Sequence, residues 1–214
     1  GDEVYHYLVW MTTGGLYNDA NYGKDQGSIH VMCSTPLPLV PRITSLTANT
    51  HDFSPDSGFP STGFVGAHFT INLNKDVSPD TFDWSSNRDW VTVDQTGEVS
   101  IKEKPAGGGN EVNITATPKA GGDPLIYSFR LDSWFVNAGS SKYNAADAKK
   151  YCEKINYSLP ATKTVTNATV DGAGTRETGS LWGEWGDVSA FSWPTTDFTS
   201  VSYTHLTLPT ICSV

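Results

Sequence analysis

Asn144-Ala145-Ala146-Asp147-Ala148-Lys149-Lys150-Tyr151-Cys152-Glu153-Lys154-Ile155 is the stretch that decides how the second half of this chain folds. Small or apolar residues recur along it at the spacing of one helical face, at Ala145, Ala148, Cys152 and Ile155. Asn144 is a favoured capping residue, and Asp147 places a carboxylate in the first turn, where the helix dipole favours negative charge. Asn156 follows the last periodic residue and is expected to end the helix. The stretch therefore predicts one short helix that carries a cysteine.

Aromatic segments lie on both sides of this helix. Trp134-Phe135-Val136-Asn137 precedes it and is typical of a strand. Leu159-Pro160 cannot continue the helix, and a loop rich in Thr, Asn and Gly follows. The chain then reads Ser180-Leu181-Trp182-Gly183-Glu184-Trp185-Gly186-Asp187-Val188, which we expect to be a strand or turn with both tryptophans in a core.

Residues 42–131 follow a pattern of strands and turns. Apolar residues alternate with polar ones in two runs, Ala67-Phe69-Ile71-Leu73 and Val112-Ile114-Ala116. The segments 90–93 and 99–101 flank the turn Asp94-Gln95-Thr96-Gly97 and predict a hairpin, and residues 125–131 supply a closing strand. Strands at this spacing, with no helical period, predict a sandwich of two sheets. Because residues 125–131 run directly into 132–134, we expect a stiff junction between the sandwich and the segment that carries the helix.

The first 41 residues predict a hairpin followed by a linker. Residues 4–10 are apolar or aromatic at nearly every position, and Ser28-Ile29-His30-Val31-Met32-Cys33 is a second short strand. Three prolines within Ser34-Thr35-Pro36-Leu37-Pro38-Leu39-Val40-Pro41 favour an extended, semi-rigid spacer.

The composition argues against two classes of partner. There are 23 Asp and Glu against 14 Lys and Arg, a net charge of -9 with no evident basic patch, so nucleic acid and anionic membrane surfaces are poor candidates. No apolar run is long enough to span a bilayer, and no secretory signal opens the chain, which leaves room for a signal or anchor upstream of Gly1. The three cysteines, Cys33, Cys152 and Cys212, are far apart, which fits an exported protein with one structural disulfide better than a zinc site.

The order of elements around the helix resembles the front half of the C-type lectin-like domain that ends bacterial adhesins of the invasin and intimin type. The residues that carry this resemblance are Trp134, Asn137, Cys152, Leu159, Pro160, Trp182, Gly183 and Trp185. It implies structural roles for Trp134, Cys152, Trp182 and Trp185, and a helix cysteine paired with a cysteine on the last strand of the domain. No run like His-Val-Met-Cys follows Trp193, so the resemblance implies that the domain is truncated.

The segments before the helix are also similar to modules of these adhesins. Residues 82–87, 91–94, 97–99 and 112–116 resemble bacterial immunoglobulin-like modules, which implies that Trp84 fills the core of the sandwich. The expected fold is therefore mostly β, an immunoglobulin-like β-sandwich followed by a truncated α+β C-type lectin-like domain.

The resemblance divides the chain into five parts. Residues 1–33 would be the closing hairpin of a preceding lectin-like domain, 34–41 a linker, 42–131 the immunoglobulin-like domain, and 132–200 the front of a second lectin-like domain. Residues 201–214 are similar to a peptide translated from sequencing adapter, so we expect a non-native tail and set Cys212 aside with it. Pairing of Cys33 with Cys152 is not expected, because a sandwich with an odd number of strands places its ends at opposite poles.

Candidate site residues are few. Phe191 and Trp193, beside Pro194, are expected to be exposed and to bind a ligand, since exposed aromatic side chains anchor binding surfaces. Asn18, Asp19, Asn21 and Asp25 form an oxygen-rich cluster that is either a solvated loop or a metal site. Glu184 and Asp187 could be read as paired carboxylates, but no set of nucleophile, base and orienting residue accompanies them, so we expect neither an enzyme nor a cofactor.

The resemblance implies adhesion as the function. A bacterial cell-surface protein of the outer membrane would bind a host surface protein or glycan through the lectin-like module on a rigid stalk. This fragment itself would not insert into a membrane, and a barrel in the outer membrane would anchor the parent protein. Two alternatives remain open, a purely structural spacer and a calcium-dependent carbohydrate-binding lectin.

Overall fold

The computed structural model describes residues 8–9, 31–32, 34–141, 143–194 and 211–214, and the chain divides into two units, residues 1–40 and 41–214. In the first unit, β1 (Leu8–Val9) pairs antiparallel with β2 (Val31–Met32), so the predicted pairing of these two segments is observed. Residues 34–40 are exposed and belong to no helix or strand, which agrees with a proline-rich spacer. Within the described ranges, no helix is both long enough and apolar enough to cross a bilayer.

The second unit begins with two packed sheets. Their strands, with the short β5 that belongs to a third sheet, are β3 (Ile43–Ala48), β4 (His51–Phe53), β5 (Thr62–Gly63), β6 (His68–Leu73), β7 (Phe82–Ser86), β8 (Val91–Val93), β9 (Glu98–Ile101), β10 (Glu111–Pro118) and β11 (Leu125–Arg130). One sheet has the order β4-β3-β6-β9-β8 and the other the order β11-β10-β7, and every pair in them is antiparallel. The predicted immunoglobulin-like sheets are confirmed.

The alternating runs form the core between these sheets. Phe69 and Ile71 of β6 are buried on one side, and Val112 and Ile114 of β10 are buried on the other. Burying such side chains contributes about 25 cal/mol per Å² of apolar surface removed from water. Since the buried positions are every second residue, the period of two in the sequence was sufficient to predict which face of each strand is inside.

The predicted hairpin between β8 and β9 is also present. Asp94 Oδ1 accepts hydrogen bonds from the backbone N–H groups of Thr96 and Glu98 at 2.9 and 3.0 Å, and it also accepts from the Thr96 hydroxyl. These bonds lower the pKa of the Asp94 carboxyl. Gly97 closes the turn at a φ of +81°, a conformation that favours glycine.

Trp84 fills the core of the sandwich only in part. Its side chain lies on β7 at the edge of its sheet and is only partly buried, packed against the turn at Gly97, while its Nε1 donates to the Pro79 carbonyl at 2.8 Å. Trp90, just before β8, is the buried tryptophan of the sandwich. The sequence placed both tryptophans near strands, but only the strand order shows which strand is at an edge.

The remaining elements are β12 (Ser133–Asn137), α1 (Ala145–Lys154), α2 (Thr162–Val165), α3 (Leu181–Trp185), a 3₁₀ helix (Val188–Phe191) and β13 (Ile211–Ser213). The helix expected around Cys152 is confirmed as α1. Asn144 caps it by accepting from the Asp147 N–H at 2.8 Å, and Asn156 ends it at a φ of +62°. The aromatic segment expected to be strand or turn instead forms α3, because Ser180 Oγ caps it and Gly186 ends it at a positive φ. Five residues are too few to show a helical period.

Cys152 has a partner within this chain, contrary to the expectation that set Cys212 aside. Cys152 and Cys212 form a disulfide, and both are fully buried. β13, which carries Cys212, pairs antiparallel with β12, and β12 pairs on its other side with β5 in parallel. Cys152 is therefore not bonded to Cys33, and that pairing was not expected from the sequence. Cys33 itself lies outside the described residues.

Candidate binding surface

The segment 132–194 is joined to the sandwich by a shared core. β12 pairs with β5, which belongs to the sandwich half of the chain, and one continuous apolar cluster includes Phe69 and Ile114 as well as Trp134, Leu181 and Trp185. The chain passes from β11 to β12 through only Leu131 and Asp132, and Leu131 is buried. No flexible linker separates the two parts.

Trp185 lies at the centre of this joint. Its ring is fully buried and contacts Phe59, Phe64 and Phe69, with ring centroids 5.1, 5.5 and 6.3 Å away. Its Nε1 donates to Thr62 Oγ1 at 3.0 Å, so the polar edge of the indole is satisfied as well. The structural role expected for Trp185 fits this position, while Trp182 is partly buried against the same core.

Glu184 is a buried carboxylate in the same joint. Its Oε1 accepts from the N–H groups of Ser61 and Thr62 at 2.8 and 2.9 Å and from Thr62 Oγ1 at 2.8 Å. Its Oε2 accepts from Ser61 Oγ at 2.5 Å and from the Gly179 N–H at 2.8 Å. Burial raises the pKa of the Glu184 carboxyl, and the hydrogen bonds from Ser61, Gly179 and Thr62 partly offset this. Glu184 thus binds α3 to the segment that contains β5.

Arg176 makes a second polar connection across the joint. Its guanidinium donates to the carbonyl oxygens of Ala48 and Asn49, at 2.7 and 2.9 Å, and to those of Gly183 and Glu184, both at 3.1 Å. Burial lowers the pKa of Arg176. The first two acceptors lie at the end of β3 and the other two in α3, so one side chain holds both parts of the chain.

These contacts remove Glu184 and Asp187 from consideration as a catalytic pair. Both oxygens of Glu184 are occupied by structural donors, and the residue is inaccessible. Asp187 Oδ1 accepts from the Ser189 N–H at 3.0 Å and caps the 3₁₀ helix. Each carboxylate therefore stabilises backbone.

The exposure expected for Phe191 and Trp193 was wrong. Phe191 is 6% exposed and Trp193 is 7% exposed. Both rings pack edge-to-face on Phe64, with centroids 5.3 and 5.1 Å away, and Phe191 also meets the ring of His68. Their position beside Pro194 suggested a loop, but the 3₁₀ helix turns them onto the sandwich. They belong to the joint and present no ring to a ligand.

We therefore expect Phe191→Ala to weaken folding. Large-to-small changes of buried aromatic residues cost about 3–5 kcal/mol of the free energy of unfolding. Urea denaturation followed by tryptophan fluorescence will measure this loss. The control is Val170→Ala, at a side chain that is 65% exposed, and its free energy of unfolding should stay within about 0.5 kcal/mol of that of the native chain. A Phe191→Ala variant of native stability that has lost ligand binding would restore the original assignment.

The side of segment 132–194 that is free of the joint includes α1. Lys149, Lys150 and Lys154 are exposed on this helix, whereas Ala148 and Cys152 are buried. The ring of Tyr151 lies against that of Tyr143, with centroids 5.5 Å apart and planes inclined by 35°. Residue-by-residue reading of the sequence missed this surface, although the run of lysines from 142 to 163 could have indicated it.

The oxygen-rich cluster is the other candidate site from the sequence. Asn18, Asp19, Asn21 and Asp25 lie outside the described residues. Within the described part of the chain, His, Cys, Asp and Glu side chains form no group of three or more that could hold a metal ion.

Comparison with known proteins relates most of the chain to adhesins. Residues 44–129 match the family described as invasin, domain 4. The chain is 37% identical over 142 residues to the inverse autotransporter adhesin YeeJ of Escherichia coli K12, a match that covers 64% of this chain and 6% of YeeJ. It is 29% identical over 188 residues to the invasin of Yersinia enterocolitica, covering 80% of this chain and 22% of that protein. The chain thus spans less than a quarter of either relative.

The likeness extends to a solved structure. The crystal structure of invasin, described as a bacterial integrin-binding protein, matches with a TM-score of 0.69 and 24% identity, over 87% of this chain and 41% of that chain. At this identity the likeness concerns the arrangement of the elements. It agrees with immunoglobulin-like sheets followed by a segment that contains helices.

Proposed function

We propose that this chain, which carries an adhesin domain of the invasin and intimin family, is part of a bacterial surface protein that attaches to host cells. One relative is named an adhesin and the other an invasin, which supports adhesion as the role of the parent protein. Residues 132–200 would be the binding module, of the C-type lectin-like type, and residues 42–131 its immunoglobulin-like stalk.

The observation that carries this proposal is the rigid joint. Segment 132–194 shares a core with the sandwich, and Glu184 and Arg176 connect the two parts with hydrogen bonds on both sides. A module fixed to its stalk in this way presents its outer surface in one orientation. Pre-ordering of this kind reduces the entropy lost when a partner is bound.

The partner would be a host surface protein or a glycan. The invasin that shares this fold is described as an integrin-binding protein, which supports a protein partner. The relative named inverse autotransporter adhesin supports an anchor in the outer membrane of the parent protein, and hence a location at the bacterial surface. Binding would require no cofactor.

Attachment of coated beads to cultured epithelial cells tests the proposal. Beads that carry the 214-residue chain are expected to attach well above beads that carry an unrelated immunoglobulin-like domain of similar net charge. Attachment should persist when divalent cations are removed with a chelator. Deleting residues 132–200 is not a useful control, because the deletion would expose the shared core around Trp134 and Trp185.

The two alternatives predict different results in the same assay. If the chain is only a spacer, its beads will attach no better than the control beads. If it is a calcium-dependent lectin, attachment will disappear in chelator and return when calcium is restored. Either result would overturn the proposed mode of binding.

A further inference from the structure

Basic residues concentrate around α1. Residues 142–163 contain five lysines and two carboxylates, a local net charge of +3 in a chain whose net charge is -9. The lysines are Lys142, Lys149, Lys150, Lys154 and Lys163, and the carboxylates are Asp147 and Glu153. The expectation that the chain has no basic patch came from the overall charge, which conceals this local excess.

These lysines differ in whether they have an acidic partner among the described residues. Lys149 Nζ lies 3.8 Å from Glu153 Oε1, an exposed pair of the kind that contributes little to stability. Lys150 and Lys154 are one helical turn apart, and among the described residues neither forms an ion pair. Asp147 is exposed and lies three residues before Lys150, on the same side of the helix, but no ion pair joins them, so this side carries two lysines and one carboxylate and remains net positive.

Two tyrosines lie on this helix or just before it. Tyr151 is three residues before Lys154, a spacing at which two side chains are neighbours on a helix surface, whereas Lys150 is adjacent to Tyr151 in sequence and points about 100° away from it around the helix. Tyr143 packs against Tyr151 and is 37% exposed. Tyrosine provides a large contact area with little loss of side-chain entropy. We name the four residues Tyr143, Lys150, Tyr151 and Lys154 the Lys-Tyr face.

We propose that the Lys-Tyr face binds an anionic glycan, that is, a polysaccharide with sulfate or carboxylate groups. The lysines would bind the anionic groups, and the tyrosine rings would pack against the C–H faces of the sugar rings. This inference rests on the proposed function as an adhesin and specifies the class of its partner. The charge of the face is opposite to that of the rest of the chain, so the same ligand would be repelled elsewhere.

The shape of the face favours a glycan over an acidic protein segment. A stable protein interface buries about 800 Å² on each partner around apolar anchors that fill pockets. The described residues of α1 expose alanine, lysine and carboxylate side chains, and Tyr143 is the one large hydrophobic residue of the face that is well exposed. A chain of sugars with repeated charges needs only spaced cations and an aromatic surface, which α1 provides.

Binding of the 214-residue chain to immobilised heparin, a sulfated glycan, tests this proposal. We expect Lys150→Gln/Lys154→Gln to lower the affinity about tenfold or more at about 0.15 M salt, with a weaker dependence on salt. Tyr143→Ala should lower the affinity about threefold to fivefold without changing the salt dependence. The matched control is Lys75→Gln/Lys102→Gln, which removes the same charge from exposed positions of the sandwich and should change the affinity less than about twofold. Circular dichroism will confirm that each variant is folded.

Several results would overturn the proposal. One is that the native chain does not bind heparin, and another is that both double variants lose affinity equally. A third is that the chain binds polyglutamate as tightly as heparin, which would indicate an acidic protein segment as the partner. The bead assay separates this inference from the proposed function. Beads that carry Lys150→Gln/Lys154→Gln and still attach fully would overturn the role of the face and leave adhesion intact. Heparin binding through the face without attachment of beads would support the face and overturn adhesion.

Discussion

Glu184→Ala is expected to lower the free energy of unfolding by roughly 3–5 kcal/mol, because it removes the acceptor of a buried hydrogen-bond network. The carboxylate accepts five hydrogen bonds from Ser61, Thr62 and Gly179. Alanine leaves the buried N–H and hydroxyl of Thr62 without this acceptor, and each unsatisfied buried donor costs about 1–3 kcal/mol. Ser61 is half-buried and Gly179 is exposed, so water can replace the carboxylate at their donors. Chemical denaturation monitored by tryptophan fluorescence will measure this loss, because Trp185 lies next to Glu184 in the joint and its emission changes when the joint unfolds.

The matched variants are Glu184→Gln and Glu103→Ala. Glutamine keeps one acceptor oxygen and the shape of the side chain, but its amide group meets the Gly179 N–H. We therefore expect the free energy of unfolding of Glu184→Gln to lie between those of the native chain and of Glu184→Ala. Glu103 is exposed, and its replacement should change stability by less than about 0.5 kcal/mol. If Glu184→Ala proves as stable as Glu103→Ala, the joint does not depend on the carboxylate.

The same group gives the joint a pH dependence of known sign. Burial raises the pKa of Glu184 in the folded state above the value of about 4.3 for an unfolded chain. The folded protein then binds this proton more tightly, so the contribution of Glu184 to stability is greatest below that value and falls as pH rises through the folded pKa. Glutamine does not titrate, so the advantage of the native chain over Glu184→Gln should shrink as the pH rises above the unfolded-state pKa. An advantage that grows with pH would show that the hydrogen bonds outweigh burial.

Local patterns in the sequence were sufficient for much of this fold. The alternation in β6 and β10 identified the buried faces of the sandwich, and the capping residue Asn144 identified the start of α1. Both signals arise within a few residues of the element that they specify. The same holds for the turn at Gly97, whose positive φ is a local requirement.

The joint could not be predicted in this way, because its contacts connect distant parts of the chain. Glu184 and Thr62 are 122 residues apart, and Arg176 and Ala48 are 128 residues apart. A glutamate between two tryptophans has the same local pattern whether it is solvated or buried. The same limit applies to Phe191 and Trp193. Their rings are covered by Phe64, which is more than 100 residues away in the sequence, so no local pattern indicates that they are buried.

Loss of the Cys152–Cys212 disulfide is expected to have the other large effect. The two cysteines are separated by 60 residues, and closing a loop of that length removes about 4 kcal/mol of conformational entropy from the unfolded chain in the loop-entropy description. Within α1, only Ala148 and Cys152 are buried, so the disulfide is the main anchor of the helix. A ten-residue helix is marginal in water without such an anchor.

The double variant Cys152→Ala/Cys212→Ala will measure this effect, in a Cys33→Ser background that prevents exchange of partners. We expect it to lose about 4 kcal/mol of stability relative to the same background with the disulfide, and reduction of the native disulfide should produce a similar loss. Hydrogen exchange should become fast in α1 first and remain slow in β6 and β10, because the sandwich core does not depend on the bond. Heparin binding should weaken in parallel, since Lys150 and Lys154 keep their spacing only while α1 is folded. If the reduced chain keeps both its stability and a protected α1, packing of the helix would suffice and the disulfide would contribute nothing to the geometry of the Lys-Tyr face.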